Sequence, residues 1–281
     1  MSPVYSIHEL CAALDVSRSG YQAWASRAPS LRAQADADLL RLLQQGHEAS
    51  RRTYGRPRLL VWLAQRGHRC GHTRAWRLLR QAGLSQRRRR RFRPVSLTDS
   101  QHELPIAPNR LLGQRQPLRP DAVWLADITY VDTDEGWLYV AGVLDRYTRR
   151  CIGWAMSESL ATTLPLAALD MAFTHRRPSA GLVHHSDRGV QYASHGYRQV
   201  LARAGAVASM SRRGNCYDNA AMESFWSTFK RDLIHRRHFA TRAEARAAIF
   251  EWIEVFYNPD QSGFHSALGF KSPVDFETQL N

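Results

Sequence analysis

No stretch of the 281-residue chain is apolar for long enough to cross a bilayer, and no signal peptide or amphipathic anchor opens it, which sets a membrane partner aside. Cysteine is scarce: Cys11, Cys70, Cys151 and Cys216 lack paired spacing, as expected of reduced thiols in a cytoplasm. His68, Cys70 and His72 crowd together without the distant second pair that a structural zinc site needs. No heptad run is present, so the chain supplies no coiled coil of its own. Acidic residues are missing from one region in particular. Residues 1–120 hold 7 of them against 22 arginines, a surplus of +15, while the remainder carries −1. So concentrated a surplus calls for a polyanion, and with membranes set aside that polyanion is nucleic acid.

The length leaves room for one catalytic domain of about 150 residues and smaller modules. Ser6 and Glu9 read as a capping box opening a helix through Leu14, and Ser17 caps a second helix through Trp24, a pair of helix-turn-helix size. A polar helix follows from Leu31 to about His47, with Leu39, Leu40, Leu42 and Leu43 on its buried side. A second helical pair is better marked. Pro57 stands at a helix start, Leu59, Leu60 and Leu63 form an apolar face, Gly67 ends it, and Thr73 caps a helix that Gly83 terminates. On that last helix Arg74, Arg77 and Arg80 recur every three residues, which fits either a recognition helix reaching DNA or a solvated basic face. Arg87, Arg88, Arg89, Arg90 and Arg91 repel one another too strongly to fold, and read as an extended linker that binds phosphates without reading sequence. The proline-punctuated stretch to residue 120 continues that linker. The expected divisions are a helical region at 1–50, a helix-turn-helix at 51–86, a linker at 87–120 and a catalytic core at 121–281.

The core reads as strands near 123–131, 136–144 and 149–156, a helix near 163–175, a strand at 182–186, a helix at 195–204, a strand at 206–210 and a helix from Asp218 or Asn219. A final helix runs from Thr241 to Tyr257. Within this pattern three carboxylates stand out. Alternation places Asp127 on the same strand face as Val123, Leu125 and Val131, where an ionised group must be paired, protonated or bound to metal. Asp187 follows the short run Leu182–His185 at a strand end, where α/β sheets place functional groups; Arg188 beside it offers an ordinary ion pair instead. Glu223 shares a polar stripe with Ser227 and Lys230 on a helix whose Met222, Phe225, Trp226 and Phe229 face the core. Alone, it is an ordinary solvated helix residue.

The triad spacing, with 35 residues between Asp187 and Glu223 and Lys230 seven further on, and the words "VWLADITYV", "GWLYVAGVLDRYTRRCIGWAMS", "HHSDRGVQYAS", "SMSRRGNCYDNAAMESFWSTFK" and "HSALGFKSPVDFE" resemble the second-reading-frame transposases of insertion-sequence family three, over nearly the whole chain. The resemblance implies an α/β core of ribonuclease H-like, retroviral-integrase type after an all-α helix-turn-helix region. It implies Asp127, Asp187 and Glu223 as the catalytic and metal-holding triad, and Arg74, Arg77, Arg80, Arg87 to Arg91 and Lys230 on DNA. The activity implied is cleavage and strand transfer at insertion-sequence ends. The implied partners are duplex DNA of the terminal repeats and target, further copies of the chain on that DNA, and an upstream first-frame protein, all at a bacterial nucleoid. Carboxylate oxygens suit hard cations, so two Mg²⁺ or Mn²⁺ ions are expected and Zn²⁺ is not. His184, His185 and Ser186 are candidates for proton transfer, although a His beside a strand end is more often a packed residue; Asn215, Tyr217 and Asn219 are candidates for contact with terminal base pairs, and turn formation explains that loop equally well.

The resemblance departs at one loop: six residues, none of them Arg, separate Tyr257-Asn258 from His265, where the family usually has four including Arg. Three rivals stand beside it. A DNA-binding regulator with an inert core leaves Asp127 without a role. A tyrosine recombinase could use His185-x-x-Arg188 and Tyr217, but that box belongs on a helix. A ribonuclease H-like nuclease shares the metal chemistry without strand transfer.

Overall fold

The computed structural model describes residues 5–84, 102–212, 219–259 and 265–280. They fall into two compact units, one within Met1–Arg88 and one within Arg89–Asn281. The arginine run 87–91, Asn215, Tyr217, Asp218 and most of the altered 258–265 loop lie outside the described residues.

The first unit is helical. α1 (Ile7–Ala13) carries the expected capping box, with Ser6 Oγ accepting from Glu9 N–H and the Glu9 carboxylate accepting from Ser6 N–H. Ser17 caps α2 (Arg18–Ser26), and Ser30 caps α3 (Leu31–Ala49). α4 (Arg56–Ala64) starts at Gly55 with Pro57 in its first turn. α5 (His72–Gln81) starts at Gly71 rather than at Thr73, because Gly71 is the last extended residue and Thr73 already lies inside the helix. α3 packs on both α4 and α5 through Leu39, Leu43, Leu59, Leu63, Leu78 and Leu79. The expected division at residue 50 therefore cuts through a packed three-helix cluster. Gly46 explains how α3 and α4 approach so closely: a Cβ there would stand 2.9 Å from the Trp62 ring.

The second unit is built on a five-stranded sheet. Its strands are β1 (Val123–Val131), β2 (Leu138–Asp145), β3 (Cys151–Ser157), β4 (Val183–Ser186) and β5 (Val207–Met210), in the spatial order β3-β2-β1-β4-β5. The first three pair antiparallel as successive hairpins, and β4 and β5 add in parallel beside β1. Parallel addition needs crossovers. α6 (Thr163–Arg176) precedes β4, while α7 (Val190–Ala193) and α8 (His195–Arg203) precede β5. These helices cover one face, sharing a core with Trp124, Ala126, Val143 and Ile152. α6 lies unusually close to β3. A Cβ on Gly153 would come within 2.2 Å of Ala168 O and 2.8 Å of Ala172 N, so only glycine fits there.

The other face is covered by α9 (Ala220–Asp232) and α10 (Arg242–Glu251), packed on Val123, Leu125, Val131, Val140 and Leu144. Thr241 caps α10 as expected, but the single helix expected through Tyr257 changes winding: Trp252–Tyr257 is a π-helix. Its wider turn keeps Trp252, Ile253, Phe256 and Tyr257 buried and delivers Asn258 to the backbone of Cys151, whose N–H and C=O it pairs at 2.9 and 2.8 Å. α11 (Pro273–Thr278) closes the unit, where Glu277 pairs with Arg150 and Arg176.

Residues 102–120 are irregular, as expected of the linker, but they are not free of the core. Leu104 and Ala107 pack on the α6–α8 side, Leu111 is 7% exposed on the other, and Arg110 N–H donates to Ser209 Oγ at 2.9 Å. Apolar side chains at intervals are enough to hold an irregular segment down. The second unit therefore starts before residue 121.

Candidate active site

Asp127 sits in the middle of β1 and points to the α9 face, between Leu125 and Val131, as alternation requires. β1 and β4 run parallel, with Leu125 opposite His185; carried two residues further, that register sets Asp187 beside Asp127 at the strand end. Across the antiparallel pair, Asp127 faces Gly142. This glycine matters because a Cβ on it would meet Met222 Cε at 3.0 Å and the Trp226 ring at 3.1 Å. Its bareness lets α9 cross β1 and β2 at close range, and Glu223, adjacent to Met222, is carried with it. Asn219, buried at the start of α9, donates to Ala126 O at 3.5 Å and ties the helix to β1 one residue before Asp127. Sequence predicted each residue separately; the sheet register and this glycine bring them together.

Asp127 feels both of the other carboxylates. Burial, then the negative charge of Asp187 and more weakly of Glu223, pushes Asp127 up to about 8, against the lowering effect of Ile128 N–H at 2.9 Å and of Lys230. Asp127 keeps some surface open to solvent, so the desolvation comes from atoms crowded around the carboxyl group rather than from complete enclosure. Lys230, two turns along α9 from Glu223, is lowered by its own burial and raised by Asp127. Its ammonium lies 4.9 Å from the centre of the Tyr130 ring. Among the described residues the carboxylates are not drawn into a closed ligand set. Backbone donors hold two of them: Ile128 N–H donates to Asp127, and Gly189 N–H to Asp187 at 2.8 Å. The donor chemistry nonetheless fits a hard divalent cation, being all carboxylate oxygen around one desolvated member.

The neighbouring histidines are structural in placement. His184 meets the Tyr197 hydroxyl at 3.1 Å, and His185 bridges Ser209 Oγ at 2.8 Å and Ser211 Oγ at 3.0 Å, both on the β4–β5 side. Arg188 donates through Nε to Ser211 O at 2.7 Å. His102 donates to the carbonyl of Arg188 at 2.8 Å. The His185-x-x-Arg188 box lies on a strand end, not on the helix a tyrosine recombinase would use. Sequence reading missed His102 and Tyr130, since neither carries a motif and both gain their place only through tertiary contact.

The α5 stripe differs from expectation. Arg74 Nε contacts Asp36 Oδ1 of α3 at 2.6 Å and Arg77 pairs with the other oxygen, holding the Asp36 carboxyl below its usual range. Two of the three arginines are thereby anchored within the unit. Arg80 remains on the exposed side, its guanidinium 5.3 Å from the ring of Trp76, itself 47% exposed.

Family profiles match the helical unit and the sheet unit separately. A profile described as HTH-like domain matches residues 33–92, and two described as Integrase core domain match residues 117–216 and 204–273. The chain is 45% identical to an insertion element IS600 uncharacterized 31 kDa protein of Shigella sonnei, over 97% of this chain and 98% of that one. It is 38% identical to transposase InsF for insertion sequence IS3A of Escherichia coli, over 98% and 95%. Among solved structures, a chain of a simian T-cell lymphotropic virus intasome shares 13% identity at a TM-score of 0.44, covering 84% of this chain and 74% of that one.

Proposed function

Since the chain belongs to the insertion-sequence family three transposases, which include InsF, we propose that Asp127, Asp187 and Glu223 are the residues with which it cuts DNA strands and joins them to new ones. The observation that carries the assignment is the crowding at β1. A carboxyl group held up to about 8 by its own burial and by two further carboxylates, on a strand where an apolar side chain would pack better, is retained for something other than stability.

The three carboxylates would hold Mg²⁺ or Mn²⁺, two ions in our reading, which when bound neutralise phosphate charge and acidify an attacking oxygen. The side chains divide the remaining work. Asp127 is fixed by the strand and by Ile128 N–H, Asp187 by Gly189 N–H, while Glu223 reaches the site from α9, where it is exposed. Lys230 offers an ammonium beside the same site for the next phosphate. The HTH-like unit brings the DNA, with Arg80 and the Arg87–Arg91 run on phosphates and Arg74 and Arg77 held by Asp36. The DNA is read as the element's terminal repeats and target, bound with further copies of the chain and with a first-frame protein, of which this chain is the second-frame companion.

The test is isosteric. Asp127→Asn, Asp187→Asn and Glu223→Gln should each lower Mg²⁺-dependent cleavage and joining by several orders of magnitude, double variants losing no more than single ones. Duplex binding should be unchanged, and the rise in melting temperature that Mg²⁺ or Mn²⁺ gives the native chain should vanish. Full joining activity in any one variant, or loss of folding in each as from a broken buried ion pair, would sink the assignment.

A further inference from the structure

The hairpin that joins β1 to β2 carries Trp137, 47% exposed. A single exposed tryptophan needs no explanation by itself. Two contacts and one charge effect make this one different. Its ring meets Tyr130 edge to face, with centroids 4.6 Å apart at 89°. Tyr130 in turn carries the Lys230 ammonium 4.9 Å from its ring centre. Lys230 senses the charge of Asp127. Lys230, Tyr130 and Trp137 thus form one run of contacts outward to solvent, with the charge of Asp127 acting on its inner end.

The hairpin is also held rigid. Thr133 Oγ1 donates to Gly136 O at 2.6 Å, and Gly136 N–H returns to Thr133 O at 2.9 Å. Asp134 N–H donates to Phe239 O at 3.1 Å, and the Asp134 carboxylate meets His238 at 3.0 Å. Arg242 N–H donates to Glu135 at 2.7 Å, and Arg242 Nε reaches the Trp137 carbonyl at 3.3 Å. A side chain exposed on so constrained a loop is presented rather than merely left outside. A flat aromatic face beside a cation is the arrangement that takes an unpaired nucleobase by stacking while the adjoining phosphate meets the ammonium.

We propose that Trp137, propped on Tyr130, is a stacking platform for an unpaired nucleobase of the DNA strand whose phosphate Lys230 holds. The inference rests on the reading above that Asp127 marks the reacting phosphodiester. Stacking tolerates any base, so the platform recognises that a nucleotide is unpaired, not which one it is. It favours a strand end already splayed from its complement.

The test uses the full chain in EDTA, so that no cleavage intervenes, and a duplex whose one strand ends in a short overhang containing 2-aminopurine. Stacking quenches this base. Native protein should quench it, Trp137→Phe should keep most of the quench, and Trp137→Ala should lose it. Affinity for the overhang duplex should fall about tenfold in Trp137→Ala, with affinity for the same duplex fully paired unchanged and the melting temperature within a degree or two of native. A quench in Trp137→Ala equal to native, or an equal loss of affinity for both duplexes, overturns the platform. Because the readout is binding without metal, it is independent of the carboxylate test: active Asp127→Asn protein would remove the catalytic reading and leave the quench measurable in its own right.

Discussion

His184 shows how one buried side chain ties stability to acidity. It is 1% exposed, and burial, then the neighbouring His185, lowers it to about 3 while it shares a hydrogen bond with Tyr197. In the unfolded chain a histidine titrates near 6.5, so between about 3 and 6.5 the unfolded state binds a proton that the folded state refuses. The stabilisation is whole above about 6.5 and is lost as pH falls, at up to about 1.4 kcal/mol per pH unit. Thermal melts from pH 7 to pH 4 should show the decline, and His184→Gln should flatten it; an unchanged slope in the variant would mean that other groups carry the acid sensitivity. Asp36 is the opposite case. Its two arginines hold it ionised, and their charge is the part of the α5 stripe that spacing alone could not show to be already engaged.

Among elements, α9 is the one on which the site turns. Its apolar stripe was legible from spacing, since Met222, Phe225, Trp226 and Phe229 obey the helical period and all are buried. What spacing could not show is how near it lies to β1, because that depends on a residue with no side chain in a different strand. Gly142→Val should therefore do more harm to the reaction than to the fold: overpacking against Met222 and Trp226 costs about 1–3 kcal/mol, while the displacement carries Glu223 away from Asp127 and should slow joining at least tenfold. Equal rates in a variant that melts lower would show that the α9-to-sheet distance does not set the site. The strands and most helices were read within a few residues of their bounds, because β-branched alternation and caps are local signals. The packed segment 102–111, the π-helix at Trp252–Tyr257 and the short α7 were not, because each is held by distant partners such as Arg188, Ser209, Cys151 and Leu160.

At the scale of the whole chain, charge and chemistry are segregated. The arginine surplus lies before residue 121, and the carboxylate site lies wholly after it. Binding of the full chain to duplex DNA should weaken steeply with salt, with a log–log slope of magnitude at least about 4, and the amide variants at Asp127, Asp187 and Glu223 should leave that slope untouched. A flat response would remove the electrostatic account of binding. One feature of the sheet reaches beyond the molecule itself. The backbone of α6 rests where a Cβ of residue 153 would be, so no other amino acid at that position leaves the crossover before β4 in place. Codon 153 is therefore one that drift cannot alter without moving that crossover, so working copies of the gene should keep glycine there.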